Sequence, residues 1–108
     1  MKEKYYYLRD SLKRPIVTVC LIKNDYGIGK GVSICSIQDQ PEKKEGRRRA
    51  RGRALRALGT GRTSEEIARL EAIAATFDIE DSIDIEYKSV FNPELSEREK
   101  RVLKLGEN

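Results

Sequence analysis

Apolar and polar positions along this chain follow two rhythms, and the change from one to the other divides it. KYYYLRD over 4–10, IVTVCLIK over 16–23 after Pro15, and VSICSI over 32–37 read as three strands. Aromatic and β-branched side chains of this kind fit a pleated, half-buried surface. NDYGIGKG between the second and third strands is turn chemistry, with an asparagine, an aspartate and alternating glycines. A hairpin symmetric about Gly27 and Ile28 sets Cys20 opposite Cys35 on one face, whereas one residue of slip sends them to opposite faces.

From SIQDQPEKKEG onward the period lengthens to that of a helix. Ser36 or Asp39 is the expected cap, Pro41 sits in the first turn, and the helix runs to Leu58 and stops at Gly59. Thr63 or Ser64, followed by Glu66, opens a second helix through Thr76, with Ile67, Leu70, Ile73 and Ala74 on its apolar face. DSIDIEYKSV over 81–90 alternates again and reads as a strand with one wet face; FNP over 91–93 is a turn. Ser96 with Glu99 three residues on makes a capping box for a last helix. The expected order is β-β-β-α-α-β-α in a single domain over 1–108. Its fold class is α+β: a small antiparallel sheet, formed by an N-terminal hairpin or meander and a late strand, packed with two or three helices. The late strand joins this sheet or a partner's.

Of the 108 residues, 38% are apolar and 37% charged, so the core is small and oligomerisation is a natural way to bury more surface. No apolar run approaches the roughly 18 residues of a membrane span and no signal peptide opens the chain, so a soluble, cytosolic protein is expected. Cys20 and Cys35 lie in apolar runs and read as reduced core thiols. The absence of histidine removes an imidazole base and a plausible zinc site, and the expectation is a non-catalytic protein without cofactor or metal. Asp78, Glu80, Asp81, Asp84 and Glu86 have the chemistry to hold a divalent cation, but an acid-rich strand more commonly forms a solvated edge. The net charge of +4 conceals a division. Residues 43–62 carry nine basic groups against one acid, and residues 63–97 carry ten acids against two basic groups. A basic stretch beside an acidic one has an internal partner available before any external polyanion, which makes nucleic acid the less favoured ligand.

Setting Arg47 at 0° and advancing 100° per residue places Ala50, Ala54, Ala57 and Leu58 between about 280° and 20°, a buried stripe made mostly of alanine. Arg49, Arg53 and Arg56 fall near 200°, on the outward side. Arg47 and Arg51, at about 0° and 40°, lie inside or beside the stripe. A guanidinium there must snorkel, pair with a carboxylate, or face a recess that holds an anion. Gly29 and Lys30 in the hairpin form either a plain turn or a backbone that approaches a phosphate with lysine assistance. Phe77 or Phe91, with Asn92 and with Arg98 or Arg101, supplies the stacking face, edge hydrogen bond and charge that a purine nucleotide needs; core packing is the other reading for either phenylalanine.

GVSICSIQDQPEKKEGRRRARGRALRAL resembles the phage Thoeris anti-defence protein 1 family. The likeness rests on Gly31 to Ser36, on Asp39, and on a Lys-x-x-Gly-Arg-x-x-Ala-x-x-Arg-Ala run. Here that run is Lys43 or Lys44 leading to Gly46, Arg47, Ala50, Arg53 and Ala54. It covers about residues 14–58. The resemblance implies a homo-oligomeric sponge, dimeric or hexameric, in the host bacterial cytosol. Such a sponge sequesters a cyclic ADP-ribose isomer made by TIR proteins, and some members also bind cyclic oligonucleotides at separate sites. It further implies pockets at subunit interfaces, with Arg47 and Arg53 on the motif and Phe77 or Phe91, Asn92, and Arg98 or Arg101 as counterparts. Two other readings stand beside it: a basic nucleic-acid-binding accessory protein, and a protein–protein inhibitor of a host factor.

Overall fold

The structure, a computed structural model, describes residues 1–35, 42–64, 79 and 88–104. Its elements are β1 (Lys2–Arg9), β2 (Pro15–Asn24), β3 (Gly27–Ile34), α1 (Lys43–Thr60), β4 (Ser89–Phe91) and α2 (Glu97–Val102). The chain is α+β: the strands form one antiparallel sheet in the order β1-β2-β3-β4, and the late strand joins the chain's own sheet. The expected helix over 65–76 and residues 81–87 of the expected strand lie outside the described residues.

The hairpin is tighter than its glycines suggest. Asn24 pairs with Gly27, leaving only Asp25 and Tyr26 in the turn, and Cys20 stands opposite Gly31, not Cys35. Asn24 Oδ1 closes the turn by accepting the Tyr26 and Gly27 amides at 2.8 and 3.1 Å. YGIGKG is therefore mostly strand. Gly29 and Gly31 alternate because α1 lies directly over them: a Cβ on Gly29 would fall on the Ala54 carbonyl oxygen, and one on Gly31 on the Ala50 carbonyl oxygen. Ala50, Ala54 and Ala57 form the buried side of α1. Helix and sheet thus meet backbone to backbone.

The helix starts later and ends later than its cap residues suggested. Glu42, extended and without a side-chain cap bond, is the N-cap, so Pro41 precedes the helix. The helix passes through Gly59 and stops where Gly61 turns left-handed, its amide reaching Ala57 O at 2.9 Å.

Alternation along the strands separates two packed faces. Cys20 and Ile22 join Ala50 and Ala54 beneath α1, with Tyr5 and Leu58 at the margin. The opposite face carries the larger apolar residues Val17, Val19, Leu21, Val32 and Ile34, covered by Leu103 and Ile79. Burying each of these side chains stabilises the fold by about 1.5–3 kcal/mol, so this second face supplies most of the hydrophobic driving force. The Ser96–Glu99 capping box forms as expected and starts α2 over that face. The outer edge of β4 is closed by the chain that follows α1. Thr63 Oγ1 and Ser64 Oγ accept the Phe91 and Ser89 amides, and Ser64 N donates to Ser89 O. No helix among the described residues is long and apolar enough to cross a membrane.

Candidate functional site

Among the described strands β1 is the outermost on its side of the sheet, and Tyr7 lies near its end. Both helices reach this one residue, from opposite faces. Arg47 of α1 donates from Nη1 to the Tyr7 hydroxyl at 3.1 Å, and Arg98 of α2 donates from Nη2 to the Tyr7 carbonyl at 3.2 Å. Lys43 Nζ stands 5.1 Å from the centre of the Tyr7 ring and the Arg9 guanidinium 5.8 Å from it. Lys43 and Arg47 are one helical turn apart, so both project from the flank of α1 that overhangs β1. Three cations, Lys43, Arg47 and Arg9, therefore stand about the half-buried Tyr7 side chain, and a fourth, Arg98, holds its main-chain carbonyl. Among the described residues, Lys43, Arg47 and Arg9 pair with no carboxylate.

The remaining arginines of α1 are differently engaged. Arg51 is bonded to Glu3 at 2.5 Å, and Glu3 also accepts from the Tyr5 hydroxyl at 2.8 Å. Burial, then this bond to Glu3, pushes the Tyr5 phenol above its ordinary range. Burial also pushes the Cys20 thiol up to about 12. Arg51 thus takes the carboxylate-paired alternative. Arg53 is not on the outward side: it is half-buried, and its Nη1 donates to the Val32 carbonyl at 2.7 Å. That carbonyl lies just beyond the end of β4, which pairs only with Gly29–Gly31 of β3. The buried residues of α1 are Ala50, Ala54 and Ala57, with Leu58 and Arg53 both half-buried beside them.

Phe91 stands opposite Gly29 in the β3–β4 register, on the face that carries α1. Asn92 has a left-handed backbone (φ 50°), and it binds Ile28 twice, through its amide to Ile28 O and through Oδ1 from Ile28 N. Arg101 is exposed on α2. Phe77 lies outside the described residues, as do Asp78, Glu80, Asp81, Asp84 and Glu86. Gly29 and Lys30 do not form a phosphate-contacting rim. Gly29 is covered by α1, and Lys30 Nζ is held 2.9 Å from Glu99 on the opposite face. Glu99 is only 2% exposed and also accepts from Tyr6 Oη at 2.9 Å. Burial disfavours its charged form, but the bonds from Lys30, the Ser96 amide and Tyr6 outweigh it and hold its carboxyl below the usual range. Of the expected site residues, then, Arg47 and Arg98 reach the same residue, Tyr7, from the two faces of the sheet, while Arg51, one turn from Arg47, is held by Glu3.

A groove of about 340 Å³ opens on the other flank of the first turns of α1, between Thr18, Ser33, Glu42, Glu45 and Arg49. Its guanidinium is already committed: Arg49 binds Glu45 at 3.0 Å. The hydrogen bond from Arg48, with Arg49 beside it, holds Glu45 down at about 2. Two carboxylates make this groove a poor receptor for an anion.

The sequence reading missed Tyr7, Lys43 and Arg9 as members of the cluster. The signal was present in the tyrosine run, since alternation puts Tyr5 and Tyr7, but not Tyr6, on the face with α1. No protein-family profile, curated protein or solved structure matches this chain.

Proposed function

We propose that this protein is a non-catalytic sponge that captures a small phosphorylated signal, a cyclic ADP-ribose isomer, on the cations around Tyr7. The observation that carries this reading is the convergence of Lys43, Arg47, Arg9 and Arg98 on one aromatic residue, with no carboxylate among the described residues paired with the first three. Guanidinium and ammonium groups so placed are suited to a pyrophosphate, with charge-assisted hydrogen bonds worth about 1.5–3 kcal/mol each. The run that resembles the Thoeris anti-defence family supports the same site. Its Lys43 and Arg47 are two of the four cations, while its Gly46, Ala50 and Ala54 face the sheet. Among the described strands none pairs with the outer edge of β1, where a second subunit of a homo-oligomer can close the cluster into a pocket. With no histidine in the chain, no imidazole is available as a general base, in keeping with a non-catalytic reading.

Titration calorimetry with the cyclic ADP-ribose isomer tests the reading, followed by heat denaturation and mass spectrometry of the released ligand. Saturable binding with release of the unchanged signal is expected. Absence of binding overturns the capture reading, and a hydrolysed product overturns the non-catalytic one. A gel shift with a steep salt slope, in place of signal binding, indicates a nucleic-acid ligand.

A further inference from the structure

We propose that Lys30 and Glu99 are positioning residues for this ligand site, setting through α2 and Tyr6 where Arg98 stands beside Tyr7. The inference rests on the capture reading above and names two residues that do not themselves touch the ligand.

A six-residue helix has too few internal hydrogen bonds to hold itself in place, so α2 stands where its docking contacts put it. Those contacts centre on Glu99, which follows Arg98 directly. One carboxylate oxygen meets Lys30 Nζ and Tyr6 Oη, each at 2.9 Å, and the other accepts the Ser96 amide at 3.1 Å in the capping box. Lys30 comes from β3, two strands in from β1. The ion pair therefore ties α2 to the middle of the sheet.

Tyr6 is shared between the two acidic and basic neighbours. Its hydroxyl is held by Glu99, and the Arg98 guanidinium lies 4.7 Å from its ring centre. A carboxylate that fixes the Tyr6 ring and the helix carrying Arg98 fixes that guanidinium twice over. Arg98 then has its Nη2 at the Tyr7 carbonyl, while Arg47 and Lys43 meet the side chain of the same residue from the α1 face. Buried charge pairs of this kind are weak evidence for net stability but impose a definite geometry when every lone pair is matched. No buried side-chain polar atom among the described residues lacks a hydrogen-bond partner.

The test is a double-mutant cycle on the full chain, read by calorimetry with two probes: the cyclic ADP-ribose isomer, and inorganic pyrophosphate, which reads the cations alone. Glu99→Gln keeps the capping box but loses the charge, and about a tenfold loss of affinity is expected. Arg98→Ala is expected to lose at least as much, and Glu99→Gln is expected to cause no further loss in the Arg98→Ala background. Losses that multiply in the double variant, or a Glu99→Gln protein that binds like wild type, overturn the proposal. Lys30→Met and Lys30→Arg provide a second arm should Glu99→Gln unfold. The arginine variant, which keeps a cation against Glu99, retains affinity that the methionine variant loses; equal affinities overturn the proposal. Binding of pyrophosphate but not of the cyclic signal defeats the capture reading while the cycle still decides the role of Glu99. Wild-type protein that binds neither probe defeats both.

Discussion

Replacing Gly31 by alanine adds one methyl group where α1 lies hardest against the sheet. The new Cβ would fall on the Ala50 carbonyl oxygen, 2.5 Å from Ala54 N and 2.8 Å from Arg53 Cβ, where ordinary contact begins at 3.4 Å. The first two atoms are main chain and have no rotamer to change. Relief requires α1 to move outward by about 1 Å, and a gap of that size forfeits up to half of each dispersion contact along the seam. Overpacking of this kind costs about 1–3 kcal/mol, and the rigid obstacle here argues for the upper end. For a domain of this size that lowers Tm by about 4–8 °C per kcal/mol, a large share of a total stability of about 5–15 kcal/mol. Gly52→Ala is the control. Nothing lies within 4 Å of its added Cβ, and a helix-interior alanine should stabilise by about 0.5–1 kcal/mol. Thermal and urea melts followed by circular dichroism measure both. A Gly31→Ala protein within about 0.5 kcal/mol of wild type would show that the seam is not as close as described.

Arg47→Ala should weaken binding of the cyclic signal about ten- to a hundredfold, while Arg49→Ala, whose side chain is committed to Glu45 on the other flank, changes affinity less than about threefold in the same calorimetry. Equal losses would remove the Tyr7 cluster as the site. Because the carboxyl of Glu99 is held below its unfolded range, its contribution to stability is present above the unfolded pKa and is lost as the pH falls through the folded one. The stability gap between wild type and Glu99→Gln should therefore close on acidification, and a gap that persists below the folded pKa contradicts this. The Cys20 thiol, fully buried and pushed up to about 12, should resist Ellman's reagent in the native protein, so at most one thiol per chain reacts before denaturation and two after it.

The strands and the Ser96–Glu99 cap were legible in the sequence because they depend on neighbours in the chain: alternation for β1 and β2, a three-residue offset for α2. What was not legible depended on distant partners. The glycines of YGIGKG carry turn chemistry locally, and only the arrival of Ala50 and Ala54 over them reveals a packing seam. Helical spacing puts Arg47 and Arg51 inside or beside the alanine stripe, and both are exposed in the structure. It could not tell which would meet a carboxylate, since Glu3 and Tyr7 lie two residues apart on the same strand face. Arg53 turns to the sheet because the Val32 carbonyl lies just beyond the end of β4, which helical spacing alone does not show. Arg98 was singled out for its chemistry alone. Its arrival at the Tyr7 carbonyl follows from α2 crossing the face opposite α1, a tertiary fact that no local pattern encodes.

The glycine–alanine seam also acts as a mechanical stop. Where Ala54 and Ala50 lie on Gly29 and Gly31, the main chains themselves set the height of α1 above β3. The ammonium of Lys43 and the guanidinium of Arg47 hang from a rail that is already seated. A phosphorylated guest meeting them would induce little rearrangement, so its arrival should be limited by diffusion and charge attraction more than by the protein's own motion.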